Sequence, residues 1–135
     1  MSMRFQSNRA AVMARHLAAK KAAHTAIGQF VTSKAKLLAA VDTSNLRNSI
    51  SSKAELEKVV IGTSADYGIY VEKGTGIYAE DGNGRQTPWM YRDPKTGKMV
   101  KTQGQHAQPF LRPAAENNKP MITQVGTRTY SSLMR

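Results

Sequence analysis

Gly74-Thr75-Gly76-Ile77-Tyr78-Ala79 has the spacing of the dinucleotide fingerprint G-x-G-x-x-A. That turn binds a pyrophosphate only where a helix opens at it, so that the helix N-terminus meets the anion. Here Asp81-Gly82-Asn83-Gly84 follows at once, and such a run forbids the helix. His16, His24 and His106 have no metal-ligand spacing with one another or with carboxylates. Asp66 and Glu72 lie near each other in sequence, but nothing pairs them as general acid and base. No serine sits in a nucleophile elbow. Trp89 and Tyr91, with Arg92, Lys95 and Lys98 nearby, have the residue types of a base-stacking platform with phosphate contacts. The same residues make a hairpin with one packed aromatic face, and this is the favoured reading. With no catalytic, cofactor or metal constellation in view, the expectation is a protein that assembles rather than one that turns over a substrate.

The elements around these residues follow from pattern. From about Ser7 to Ala40 the chain is rich in alanine and free of proline, which predicts a long helix. Met13, Leu17, Lys20, His24, Ile27, Val31, Lys34, Leu38 and Val41 alternate steps of four and three and form one helical stripe. Such a helix exceeds the needs of a small domain, so it either breaks near Gly28 or projects onto a neighbouring subunit. Val41 to Asn45 favour turns and caps. Leu46–Ser52 and Lys58–Gly62 read as strands joined by Ala54 to Glu57. Ala65–Lys73 fits a strand or a short helix, with Tyr67, Tyr70 and Val71 on one apolar face. Gly74–Thr87 carries four glycines and reads as a mobile loop. Trp89–Arg92 and Lys98–Lys101 form a hairpin around Asp93 to Gly97. Beyond Pro109, Phe110 and Leu111 are a proline-flanked apolar anchor. Pro113 suits the first turn of a helix, and Pro120 interrupts it, so either a kink or a second helix starting near Pro120 is expected, with a tail that frays.

Composition bounds the rest. At 135 residues, with 40% hydrophobic and 7% aromatic content, the chain fits one domain with a modest core. It divides into 1–40, a basic helix; 41–108, a sheet with the Gly-rich loop 74–87; and 109–135, a C-terminal helix. The fold class is α+β: a long N-terminal helix, a small antiparallel sheet with hairpins, and a C-terminal helix. No apolar run is long enough for a membrane span, and Met1 to Gln6 lack a signal-peptide core. Cysteine is absent, which excludes disulfides and thiolate metal sites. The formal charge is +11, and residues 1–40 hold seven of the bases and none of the acids. Arg15, Lys20 and Lys21 belong to that set. A basic third of this kind points to nucleic acid or an acidic protein surface, or serves only as a solvated face.

Val41–Ile50 (V-D-T-S-N-L-R-N-S-I), Tyr70–Gly76 (Y-V-E-K-G-T-G) and Gln108–Ala114 (Q-P-F-L-R-P-A) occur in the order and spacing found in a family of long-tailed bacteriophage proteins. The chain resembles these tail-component, or head–tail joining, proteins from about Ala35 to Ala115. It departs from them at Val41, Ser44 and Lys73, where the family often has proline, glycine and an aromatic. The resemblance implies a structural virion protein of α+β fold, made in the host cytoplasm and placed in the neck or tail, in a tail-completion or tail-terminator position. It implies a homo-oligomeric ring, hexameric first and dodecameric second, that touches neighbouring neck and tail proteins and, through its basic face, genomic DNA. Gly74, Thr75, Gly76, Tyr78, Gly82, Gly84, Trp89, Arg15, Lys20 and Lys21 are then the candidate assembly residues. A basic nucleic-acid-binding module is the alternative, and a small hydrolase the third class.

Overall fold

The computed structural model describes residues 8–39, 44–93 and 96–135. Val41, Asp42 and Thr43 of the expected turn, and Pro94 and Lys95 of the hairpin tip, lie outside the described residues.

Helix α1 runs unbroken from Arg9 to Leu38, about 45 Å at the usual rise per residue. It does not break at Gly28. That glycine is buried because β1 and β2 cross the helix there: a Cβ would lie 2.6 Å from Ser52 Oγ and 3.2 Å from Val59 Cγ1. The buried row of α1 is Ala19, Ala23, Val31 and Ala35, continued by Ala39 at its end. These positions repeat in steps of four. They differ from the expected stripe, of which Val31 is buried while Met13, Leu17 and Leu38 are exposed. Small side chains let the neighbouring elements approach the helix closely, so burial follows alanine rather than leucine.

The length of α1 is used within its own chain. Its principal partner is α5, Lys119–Met134, which runs antiparallel to it. His16 Nδ1 meets the Tyr130 hydroxyl at 2.7 Å and Arg15 Nε donates to the Leu133 carbonyl at 2.8 Å. These contacts hold the tail helical to Met134, where fraying was expected. Pro120 stands in the first turn of α5, and Pro113 in α4, Leu111–Glu116.

Leu46 begins no strand. Residues Ser44–Ser49 form a short helix, α2, closed by Ser49 Oγ donating to the Leu46 carbonyl at 2.6 Å. Only then does β1, Ile50–Ala54, pair antiparallel with β2, Val59–Thr63, in register Ile50 to Thr63. A second two-stranded ribbon, β3 (Trp89–Arg92) with β4 (Met99–Thr102), pairs Trp89 with Thr102 and forms a sheet of its own. The core joins α1, α2, β1 and α4 through Val31, Ala35, Leu46, Ile50, Phe110 and Ala114. Phe110 and Leu46 are its largest fully buried side chains. Among the described residues no helix is long and apolar enough to cross a membrane.

Candidate assembly surface

The stretch Ala65–Lys73 folds as helix α3, Gly68–Lys73. Its exposed positions are the apolar ones: Ile69 is 57% exposed and Tyr70 58%. Its buried positions are Gly68 and Glu72. A buried carboxylate is unfavourable unless its oxygens are satisfied, and those of Glu72 are. Oε2 accepts from the backbone N–H groups of Phe110 and Leu111 at 2.7 and 3.0 Å. Oε1 accepts from the Arg112 backbone and from Arg112 Nε, both at 3.0 Å.

These are the amides that begin α4, which no side chain of its own caps. A helix start leaves its first N–H groups without partners. Glu72 takes three of them, and the next residue, Pro113, has no N–H to satisfy. The carboxylate also faces the positive end of α4. Burial pushes the Glu72 carboxyl up, but the three amides and Arg112 outweigh it and hold it below its ordinary value. Arg112 extends the contact by donating to Glu80 and to the Glu72 carbonyl. Glu80 first, then Glu72, raise the already high Arg112 value further.

The glycines beyond α3 have a backbone reason. Gly74 and Gly76 have φ of 83° and 62°, in the left-handed region that favours glycine. Both are buried beneath Gln103–Ala107; a Cβ on Gly74 would lie 2.9 Å from the Gln105 carbonyl, and one on Gly76 would strike the Gln103 carbonyl. Thr75 N donates to Gln105 O at 2.9 Å, and Ile77 N to Gln103 O at 3.1 Å. The G-x-G spacing thus brings two pieces of this chain together. Only a three-residue 3-10 turn, Gly76–Tyr78, opens at the motif. The glycine content predicts a mobile loop over Gly74–Thr87; its first part is instead pinned to Gln103–Ala107 at its base.

Past that base the surface is open. Tyr78 lies against His106, ring centroids 3.8 Å apart. Gly84 closes on the Gly76 carbonyl, whereas Gly82 is exposed with no atom within 4 Å of a Cβ. Trp89 is half-buried, with the Arg85 guanidinium 5.6 Å above its ring. Together with Ile69, Tyr70 and Lys73, these two residues line a groove of about 490 Å³. Beside it the β3–β4 ribbon buries none of its described residues and leaves Met90 53% and Met99 54% exposed.

The other candidates lie elsewhere. Arg15 is held by the end of α5, Lys20 pairs with Glu57 at 2.9 Å, and Lys21 is exposed on α1. The basic helix is therefore partly engaged within the chain. Phe110 is fully buried and Leu111 half-buried. Sequence reasoning missed Glu72 and Arg112, although both stand inside the quoted motifs. An acid beside valine in an apolar helix, and an arginine between leucine and proline, were the available signals.

Residues 8–74 match the model of a family described as bacteriophage HK97-gp10, putative tail-component. No curated protein and no solved structure matches the chain. The matched stretch starts earlier than the resemblance, near the beginning of α1, and ends at Gly74. It holds the motifs at 41–50 and most of 70–76, and Glu72 but not that residue's partners on α4. From Asn8 to Gly74, just under half of its length, the chain is thus similar to the HK97-gp10-like family.

Proposed function

We propose that the protein is a structural component of a tailed phage particle that forms a ring at the head–tail junction and joins the DNA-filled head to the tail. The observation that carries this reading is the family match over residues 8–74. The open surface supports it: a ring subunit needs elements that leave its own core and dock on neighbours, and the β3–β4 ribbon and the α3 groove are exposed and apolar. A two-stranded ribbon is marginal alone in water, so a partner that covers it would steady it. The role proposed is positioning and sealing, not turnover.

Electron microscopy of particles tests the reading. Particles made without the protein should accumulate as separate filled heads and tails, and particles made with it should show its density at the junction as a closed ring. Deletion of Tyr78–Gly84 should leave the chain folded but stop joining. Fully joined, infectious particles from the null mutant would show that the protein acts elsewhere.

The nucleic-acid-binding alternative draws on Trp89 and Tyr91 in the basic ribbon. Arg85 already covers the Trp89 ring, which weakens it as a stacking platform.

A further inference from the structure

The molecule has two parts that are held together in different ways. In the first, α1, α2, the β1–β2 hairpin, α4 and α5 pack on one another. In the second, residues 68–108, the ties are internal. Among the described residues, α3, the 3-10 turn and the β3–β4 ribbon have no extensive packing on α1, β1, β2, α4 or α5. Thr75 and Ile77 donate across the base to Gln105 and Gln103, and Gln105 N donates back to Thr75 Oγ1 at 2.9 Å. Glu80 N donates to the Lys73 carbonyl at 3.0 Å, and Lys73 Nζ pairs with Asp81 at 3.1 Å. Gln108 N donates to the Val71 carbonyl at 2.7 Å, which draws the end of this arm onto its first helix. The chain enters the arm at 64–67 and leaves it at Pro109, and neither stretch is helix or strand.

The arm meets the rest of the chain along the inner face of α3. Val71 lies half-buried against the core, and Glu72 takes the amides of Phe110, Leu111 and Arg112. Arg112 Nη2 reaches back to the Glu72 carbonyl at 3.1 Å and pairs with Glu80 at 2.9 Å. The attachment is thus chiefly polar. Breaking it bares little apolar surface, and water receives the carboxylates and the arginine that it frees. A part attached in this way opens at less than the cost of unfolding the whole chain.

We infer that residues 68–108 form an arm that opens from the body while both parts stay folded, and that Glu72 and Arg112 are its latch. Glu72 and Glu80 leave with the arm; Arg112 and the amides at the start of α4 stay with the body. The connections at 64–67 and Pro109 take up the turn, as irregular segments do in hinged proteins. Opening carries the ribbon and the α3 groove away from α4 together, because the base that joins them is part of the arm. The latch is a property of the single chain and is independent of the ring reading.

Distances between spin labels test this. The chain has no cysteine, so labels attach only where cysteines are introduced. Lys21→Cys with Lys101→Cys spans body and arm, Lys21→Cys with Lys53→Cys lies within the body, and Asn83→Cys with Lys101→Cys lies within the arm; all four sites are exposed. Labelled chain is diluted with unlabelled chain, so that double electron–electron resonance reads distances inside one copy. The spanning pair should show one main distance in the otherwise unaltered chain. Adding Glu72→Gln should raise the opening constant about tenfold or more, as for lost hydrogen bonds to a charged group, and the share of a second spanning distance should rise with it. The two control pairs should keep their distances. Arg112→Gln leaves the three amide bonds in place and should move the spanning pair the same way by less; it carries the test if Glu72→Gln does not fold. A spanning distance unmoved in every variant that folds would overturn the latch. A distance that spreads in the arm pair would mean that the arm unravels, and one that spreads in the body pair that the whole fold loosens; either result would overturn the arm as a unit.

Discussion

The Phe110 core and the β3–β4 ribbon represent two ways of using apolar residues. In the core, Phe110 and Leu46 are fully enclosed by side chains from α1, β1 and α4. In the ribbon, Met90, Tyr91 and Met99 are exposed, and the main packing partner of each strand is the other strand. The first arrangement stabilises the monomer through burial. The second leaves apolar surface exposed, which the proposed assembly would bury against a neighbour. On that proposal, stability and partner contact fall to different residues.

The sharpest way to break this division is to empty the core. Phe110→Ala should destabilise the protein by about 3–5 kcal/mol in a denaturant titration, the usual range for a closed aromatic site. A melting shift below about one degree would mean that the ring is not enclosed in solution. Glu72→Gln comes next. It leaves the amides at the start of α4 without their carboxylate and should lower stability by about 1.5–3 kcal/mol, as for hydrogen bonds to charged groups.

The same substitution predicts a pH effect. The Glu72 carboxyl is held below its ordinary value of 4.5, so its contribution is fully present above that value and is lost as pH falls through the lower folded value. Acid unfolding of the parent chain should therefore be steeper than that of Glu72→Gln. Equal slopes would assign the acid sensitivity to other groups.

Changing Arg15, Lys20 and Lys21 together to Gln should leave the melting curve nearly unchanged, since exposed charges contribute little to stability. It should weaken assembly, most visibly at low salt, where the charges are least screened. A large loss of stability would transfer α1's basic residues from partner contact to the fold. The smallest effect on folding is expected in the ribbon. Tyr91→Ser with Met99→Ser should shift stability by no more than about 0.5 kcal/mol, the range for exposed sites, while reducing joined particles. Normal joining would return these residues to ordinary solvated surface.

What was legible in sequence was mostly local. The alanine-rich run predicted α1, the turn chemistry predicted the β3–β4 hairpin, the β-branched run predicted β2, and Pro113 and Pro120 lie in the first turns of α4 and α5. Three features were not legible because they depend on residues far apart in the chain. The buried row of α1 is set by how closely β1, β2 and α5 approach, which favours alanine over the larger residues a hydrophobic stripe selects. Leu46 fits a strand by propensity, and its enclosure in the core holds it in α2. Glu72 seemed to lack a partner because its donors, Phe110 to Arg112, lie 38 to 40 residues on. The anchor at Phe110 was readable from its flanking prolines; the clasp that positions it was not.

The crossing of Thr75-Gly76 with Gln103-Gly104 has a consequence for how this chain can change. It closes the base of the segment between them with hydrogen bonds from backbone to backbone, so the ends stay fixed whatever lies between. Lengthening a closed loop adds little entropic penalty, about 0.6 kcal/mol per doubling. The arm from Ile77 to Thr102 is in effect a cassette: its strands can be resized or exchanged while Gly74, Gly76 and Gly104 preserve the socket that holds it.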